Sequence, residues 1–191
     1  MKGRRMSDQD RQRRYEDRRR RILAAARERA EAEGWPAVTT RHLAQAIGFT
    51  QPVLYGHFPG GKAEIMLAVA LEGFVELGER CRAAIGSKES RGAVEAVAHA
   101  YLDFADEHPA IYEAMFREPI GARFAEEGNE AELHESFAIL AEVIGDPIST
   151  EVFWGALHGV GLLERSGRMK QGERRLRVAE LGARFASGLH D

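Results

Sequence analysis

The stretch Thr39-Thr40-Arg41-His42-Leu43-Ala44-Gln45-Ala46-Ile47-Gly48-Phe49-Thr50-Gln51-Pro52-Val53-Leu54-Tyr55-Gly56-His57-Phe58 decides the fold. Leu43, Ala44 and Ile47 fall on one face of a short helix. Threonines that can cap it precede them, and Gly48 can take the left-handed conformation that ends it. Phe49 fills the bend. Thr50 stands where the next cap belongs, and Pro52 falls in a first turn, where a missing N–H costs nothing. Val53, Leu54 and Phe58 give this second short helix a buried side. Two short helices joined through a glycine, with the small Ala44 allowing close approach, are the sequence form of a helix-turn-helix, which lays its second helix in the DNA major groove. Short helical hairpins with a glycine also occur in all-α proteins that bind no DNA.

Charge separates this region from the rest. The 191 residues have a net charge of −3, yet residues 1–60 carry 13 Lys+Arg against 7 Asp+Glu, and residues 61–191 carry 14 against 23. A positive first third suits a polyanion, and an acidic remainder suits another task. The longest apolar run, Ile65 to Leu71, is seven residues, where a membrane-spanning helix needs about 20. Basic residues crowd Met1 to Arg21, but no apolar stretch follows them, and Asp8, Asp10, Glu16 and Asp17 count against a transit peptide. Cys81, the single cysteine, has no partner within the chain, so a reduced, cytoplasmic setting is expected.

Outward from the hairpin the pattern stays helical. Residues 1–17 lack a hydrophobic period and read as a flexible basic arm or a fraying first turn. Ile22, Ala25, Ala26 and Ala30 place a helix over Arg18 to Glu33, stopped by Gly34. Residues 18–61 then form one unit and 62–191 another. The second unit holds a long helix from Lys62 to Ile85, one from Arg91 to Glu107, and a short one with Ile111, Tyr112, Met115 and Phe116. A loop over Pro119 to Asn129 separates these from helices at Glu130 to Ile144, Thr150 to Arg165 and Glu173 to Leu189. No stretch alternates with period two, so the fold is predicted all-α, of about nine helices, without a sheet.

The segments Thr39 to Gln45 and Gln51 to Phe58 resemble the TetR family of bacterial transcriptional regulators, over about residues 18–70. Trp154-Gly155-Ala156-Leu157-His158-Gly159 and His108-Pro109-Ala110-Ile111-Tyr112 are similar to the C-terminal region of a TetR subgroup with a Trp-x-x-x-His-Gly signature. The resemblance implies a dimer on a palindromic double-stranded DNA operator, acting as a repressor released by a small-molecule effector. It implies that Thr39 and Thr40 bind phosphate, that Arg41 reads guanine, and that Thr50 caps the recognition helix. Gln51 is implied to contact adenine or phosphate, Pro52 and Val53 thymine methyls, and Tyr55, His57 and Lys62 the DNA backbone. Two features depart from the pattern: Phe58-Pro59-Gly60-Gly61-Lys62 is one residue longer than the usual link, and Gly56 replaces a bulkier residue, at a helix cost of up to ~1 kcal/mol.

For the body, Phe153, Leu157, Val160 and Leu163 with Val178, Leu181, Phe185 and Leu189 form stripes that a four-helix bundle between two subunits could bury. Phe74, Cys81, Tyr101, Phe104, Tyr112, Met115, Phe116, Phe137, Trp154 and His158 are candidate walls of a mainly apolar pocket; each is also an ordinary core residue. The histidines show no i,i+4 pair and no Cys-x-x-Cys partner, and neither a nucleophile elbow nor a phosphate loop is present, so neither metal, cofactor nor enzymatic activity is expected. The alternative to a regulator is a small-molecule carrier of the same fold without specific DNA binding.

Overall fold

A computed structural model describes residues 7–117 and 131–186, and among these every regular element is helical. The loop expected at 119–129 and Leu189 lie outside the described residues. The order is α1 Asp8–Glu33, a 3₁₀ turn Trp35–Ala37, α2 Thr40–Ala46, α3 Gln51–His57, α4 Lys62–Ile85, α5 Ser90–Glu107, α6 Pro109–Arg117, α7 Ala131–Ile144, α8 Pro147–Arg165 and α9 Arg174–Phe185.

Helix α1 begins ten residues before the expected Arg18, which corrects the reading of residues 8–17 as a flexible arm. Its opening has no apolar stripe, and local polar chemistry sustains it instead. Ser7 caps it by accepting from the Asp10 N–H at 3.1 Å. Asp8 and Asp10 sit in the first turn, where the helix dipole favours negative charge. Arg11–Asp8, Arg13–Asp10 and Arg20–Asp17 pair one turn apart. Tyr15 then stacks on His57 with ring centroids 4.2 Å apart, which anchors the extension to α3.

Helix α8 also starts early, at Pro147 rather than Thr150. Asp146 accepts from the Ser149 N–H at 2.7 Å, and Pro147 lacks the N–H that this turn leaves unbonded.

Buried Ile22, Leu23 and Ala26 of α1 meet Leu43, Ala44, Ile47, Leu54 and Phe58 beneath the hairpin. In the body, α4 packs against α5, α6 and α7, while α5 also carries α8 and α9. Crossing of α4 and α6 is close because of Gly73: a Cβ there would stand 2.6 Å from Ile111 Cγ2 and 2.9 Å from Met115 Sδ. No helix among the described residues is long and apolar enough to cross a membrane.

Candidate nucleic-acid interface and effector pocket

The helix-turn-helix is built as its residues require. Thr39 caps α2 by accepting from the His42 N–H at 3.2 Å, and Gly48 turns the chain at φ +74°, where an L side chain would be strained. Arginines of α1 fasten the motif from behind. Arg21 donates to the Ile47 carbonyl at 2.8 Å, and Arg19 to the His57 carbonyl at 3.3 Å with its guanidinium over Phe58. Arg18 and Arg21 lie against the Phe49 ring. These cations are held by the scaffold.

Arg41, Gln45, Thr50, Gln51, Pro52 and Tyr55 are exposed, as is Thr39, and Thr40 and Val53 are half-buried. Arg41, Gln45 and Gln51 line one open groove with Ala44 and Phe49. Among the described residues Arg41 has no ion pair. Gln45 is the residue of this groove that motif reading passed over; its position one helical turn after Arg41 is the signal that finds it.

Three expected contacts change character. Thr50 occupies the cap position of α3, but its side chain makes no capping hydrogen bond, so the cap expected of it is replaced by a free, exposed hydroxyl. His57 is only 5% exposed. Tyr15 covers its ring, and its Nδ1 is buried without a partner; this corrects the expected exposed backbone clamp, because the side chain is packed between α1 and α3. Burial first, then the charges of Arg18 and Arg19, hold its pKa below the usual imidazole value. Lys62 sends its ammonium inward to the Trp35 carbonyl at 2.5 Å, after an extra glycine, Gly61, turns the chain at φ +63° under the Tyr55 ring.

Trp35 and Lys62 belong to a joint between the hairpin and the body. Helix α6 begins with Pro109, which has no N–H, and its first internal bond runs from the Tyr112 N–H to the His108 carbonyl at 2.9 Å. The N–H groups of Ala110 and Ile111 are thereby left without helical partners. The Glu31 carboxylate of α1 accepts both, each at 3.1 Å. Beside it, the Trp35 indole N–H donates to the Ala110 carbonyl at 2.7 Å. A second tie runs from Arg27 to Glu76 at 2.6 Å and from Glu76 to Arg80 at 3.0 Å. Burial pushes the Glu76 carboxyl up, but Arg27, His108 and Arg80 outweigh it and hold the pKa low.

The pocket candidates divide into three sets. Phe74, Cys81, Tyr101, Phe116, Phe137 and Trp154, joined by Leu77, Gly78 and Leu140, line an apolar cavity of about 20 Å³, room for about one water. Tyr112, Phe116 and His158 line an outer groove of about 410 Å³ between α6 and α8. Phe104 and Met115 line neither: Phe104 is buried against Arg80 and His108, and Met115 fills the space over Gly73. Both are packing residues, a correction that follows from their facing the α4 crossing. Leu77 sits between Phe74 and Cys81 on the same helical stripe, which is how sequence could have found it. Burial pushes the Cys81 thiol up to about 12, so it is a neutral wall rather than a nucleophile. A polar chain crosses the site, with the Tyr101 and Tyr112 hydroxyls 2.8 Å apart and Tyr112 2.8 Å from His158 Nδ1.

The expected dimer stripe needs the larger correction. Phe153, Leu157, Val178 and Leu181 are buried in the chain's own core, Phe185 packs on Phe153 at 5.0 Å, and Val160 is half-buried against the core. Helix α8 is apolar on more than one face: α5, α7 and α9 pack against it, and Phe153 and Leu157 turn into the shared core. The outward face carries Ile148, 66% exposed, Val152, 58%, and Leu162, 54%, with Leu163 beside them and Leu176 exposed on α9. Gly155 and Gly159 lie on this side with nothing near where a Cβ would stand.

Comparison with known proteins agrees with this architecture. A family model described as "Bacterial regulatory proteins, tetR family" matches residues 22–69, and one described as "Tetracyclin repressor-like, C-terminal domain" matches residues 94–185. The Bacillus subtilis protein named as an uncharacterized HTH-type transcriptional regulator, YobS, is 34% identical over 93 residues, a match spanning 49% of this chain and 48% of that relative. A Mycobacterium tuberculosis protein, also named as an uncharacterized HTH-type transcriptional regulator, is 26% identical over 83% of this chain and 75% of its own length. Among solved structures, a protein of unknown function from Rhodococcus sp. RHA1 superposes with a TM-score of 0.73 at 21% identity, covering 91% of this chain and 95% of that one. A TetR transcriptional regulator from the same organism superposes at 0.63 and 19% identity, covering 94% and 99%. With a matched N-terminal helix-turn-helix, a matched helical body and the same overall fold, the chain belongs to the TetR family of bacterial regulatory proteins.

Proposed function

We propose that the protein is a dimeric repressor that binds a palindromic operator and lets go when a small, mainly apolar molecule enters its body. In this reading residues 18–61 form the DNA-binding unit, residues 62–191 the effector-binding and dimerising body, and the site of action is the cytoplasm, where the operator lies. The observation that carries it is the exposed groove of Arg41, Gln45 and Gln51 on a hairpin held rigid from behind by Arg19 and Arg21. An unpaired guanidinium can take O6 and N7 of one guanine, and a glutamine can take N6 and N7 of an adenine. Thr39, Thr40, Thr50 and Tyr55 surround these readers as phosphate contacts, and Pro52 and Val53 offer apolar contact to thymine methyls.

One hairpin reads few bases, so two are needed on successive major grooves about 34 Å apart. The outward face of α8 supports a two-fold pairing: Ile148, Val152, Gly155, Gly159 and Leu162 recur at steps of three and four, and exposed Leu163 and Leu176 flank them. Release follows from the joint. Tyr112 and Phe116 of the pocket sit on α6, whose N-terminus Glu31 and Trp35 hold, so a molecule that shifts α6 also shifts α1. Moving the population from 99:1 to 1:99 requires the effector to prefer the released state by about 5.5 kcal/mol.

The test is selection from a random duplex pool by the purified protein at two salt concentrations. Enrichment of a palindrome, with affinity falling steeply as salt rises, is the expected result. No enrichment at low salt would overturn the repressor and leave a small-molecule carrier of this fold.

A further inference from the structure

We propose that the effector site contains an anion subsite, in which Arg165 of α8 and the Nε2–H of His158 take the carboxylate of an aryl or alkyl acid whose apolar body displaces Phe116 and enters the cavity behind it. This rests on the effector-pocket reading above and adds the chemical class of the ligand.

The cation is available. Arg165 stands at the rim of the 410 Å³ groove with its guanidinium 4.7 Å from the centroid of the Tyr112 ring, and it has no ion pair among the described residues. Its neighbours do: Arg174 reaches Asp106 at 2.5 Å and Glu164 at 2.6 Å, and Arg177 reaches Glu164 at 2.7 Å. The aromatic face positions the Arg165 fork without neutralising it. Glu113 also borders the groove and is already partnered.

The second donor follows from the direction of the polar chain. Tyr101 is buried, with its hydroxyl bonded to that of Tyr112. Its hydroxyl hydrogen must go to Tyr112 or stay buried and unsatisfied. Tyr112 in turn donates to His158 Nδ1, 2.8 Å away. In neutral His158 the proton is then on Nε2, which has no partner among the described residues. Burial, and then the charge of Arg165, keep the His158 pKa below its ordinary value, which favours that neutral form. His158 and Arg165 are two helical turns apart on one face, so both donors meet the same groove.

Phe116 separates groove from cavity. It lines both, with its ring 4.6 Å from Tyr112, 4.9 Å from His158 and 5.6 Å from Phe74. An acid held by Arg165 at the rim therefore has its apolar end directed at this ring. The groove alone falls within the ~300–1,000 Å³ of small-molecule sites, and displacement of Phe116 opens the apolar interior to it.

The experiment titrates the full chain with 4-phenylbutyrate and with decanoate, each beside its neutral primary amide, following tryptophan fluorescence and heat. We expect at least one acid to bind tenfold or more tighter than its amide. Arg165→Gln should erase that preference, and added chloride should weaken the acid alone. Equal affinity of acids and amides would overturn the subsite and leave the apolar pocket. Binding by none of the four would overturn both, and a preference that survives in Arg165→Gln would overturn the assignment. Operator selection is scored separately, so loss of DNA binding with the acid preference intact refutes the repressor and not the subsite.

Discussion

Replacing Glu31 tests whether hairpin and body are mechanically joined. Its carboxylate accepts the two N–H groups that Pro109 leaves at the start of α6, each at 3.1 Å and half-buried. A hydrogen bond to a charged group contributes ~1.5–3 kcal/mol, and a negative charge at a helix N-terminus a further ~0.3–1. Discounted for partial solvent access, Glu31→Ala should cost about 2–4 kcal/mol of unfolding free energy. Glu31→Gln keeps one acceptor oxygen and should cost about half as much. Urea unfolding at constant slope reads the first quantity, and effector-induced release from a selected operator reads the second. Operator affinity without effector should change less than the ratio of affinities with and without it, because the contact lies between α1 and α6 and away from the exposed groove. A double-mutant cycle with Trp35→Phe, which deletes the 2.7 Å bond to the Ala110 carbonyl, should show coupling, since both residues hold one helix end. Stability of Glu31→Ala within 0.5 kcal/mol of wild type, or release unchanged in both single variants, would refute the joint.

On the outward face of α8, Leu162→Arg should shift the chain toward monomer in sedimentation velocity, whereas Phe153→Arg should unfold it; a Leu162→Arg dimer of unchanged affinity would move the interface elsewhere. Arg41→Ala should relax base preference at one position per half-site at a cost of ~1–3 kcal/mol, and an unchanged selected sequence would remove Arg41 from the readers. Two glycines should respond in opposite directions. Gly56→Ala meets nothing within 4 Å and should stabilise α3 by up to ~1 kcal/mol, while Gly73→Ala collides with Ile111 and Met115 and should cost ~1–3 kcal/mol. His57 and His158 both have depressed pKa values in the folded chain. The unfolded chain therefore takes up protons first, so their share of stability is full above about 6.5 and declines as pH falls through that value. His57→Leu should flatten the dependence between pH 8 and 5.5, and an unaltered slope would count against its burial.

Local rules carried the hairpin and the helix inventory. The cap at Thr39, the left-handed Gly48, and apolar residues every three or four positions act over a few residues, so the chain declares them without its partners. The start of α1 escaped because polar capping and ion pairs, rather than a hydrophobic period, sustain it. Arg41 and Gln51 were named through the family resemblance, and both line one exposed groove. The environments of His57 and Lys62 were not legible, since they depend on Tyr15 and Trp35, distant in sequence. Helix α8 shows the limit most plainly. Phe153 and Leu157, Trp154 and His158, and Ile148, Val152 and Leu162 form three apolar or aromatic faces on one helix, and periodicity alone ranks none above another. The sequence by itself determined that these stripes exist, because helical spacing is intrinsic to the backbone. Only the tertiary structure decided that the first is core, the second pocket and the third an uncovered surface, because burial depends on which neighbouring helix arrives at each face.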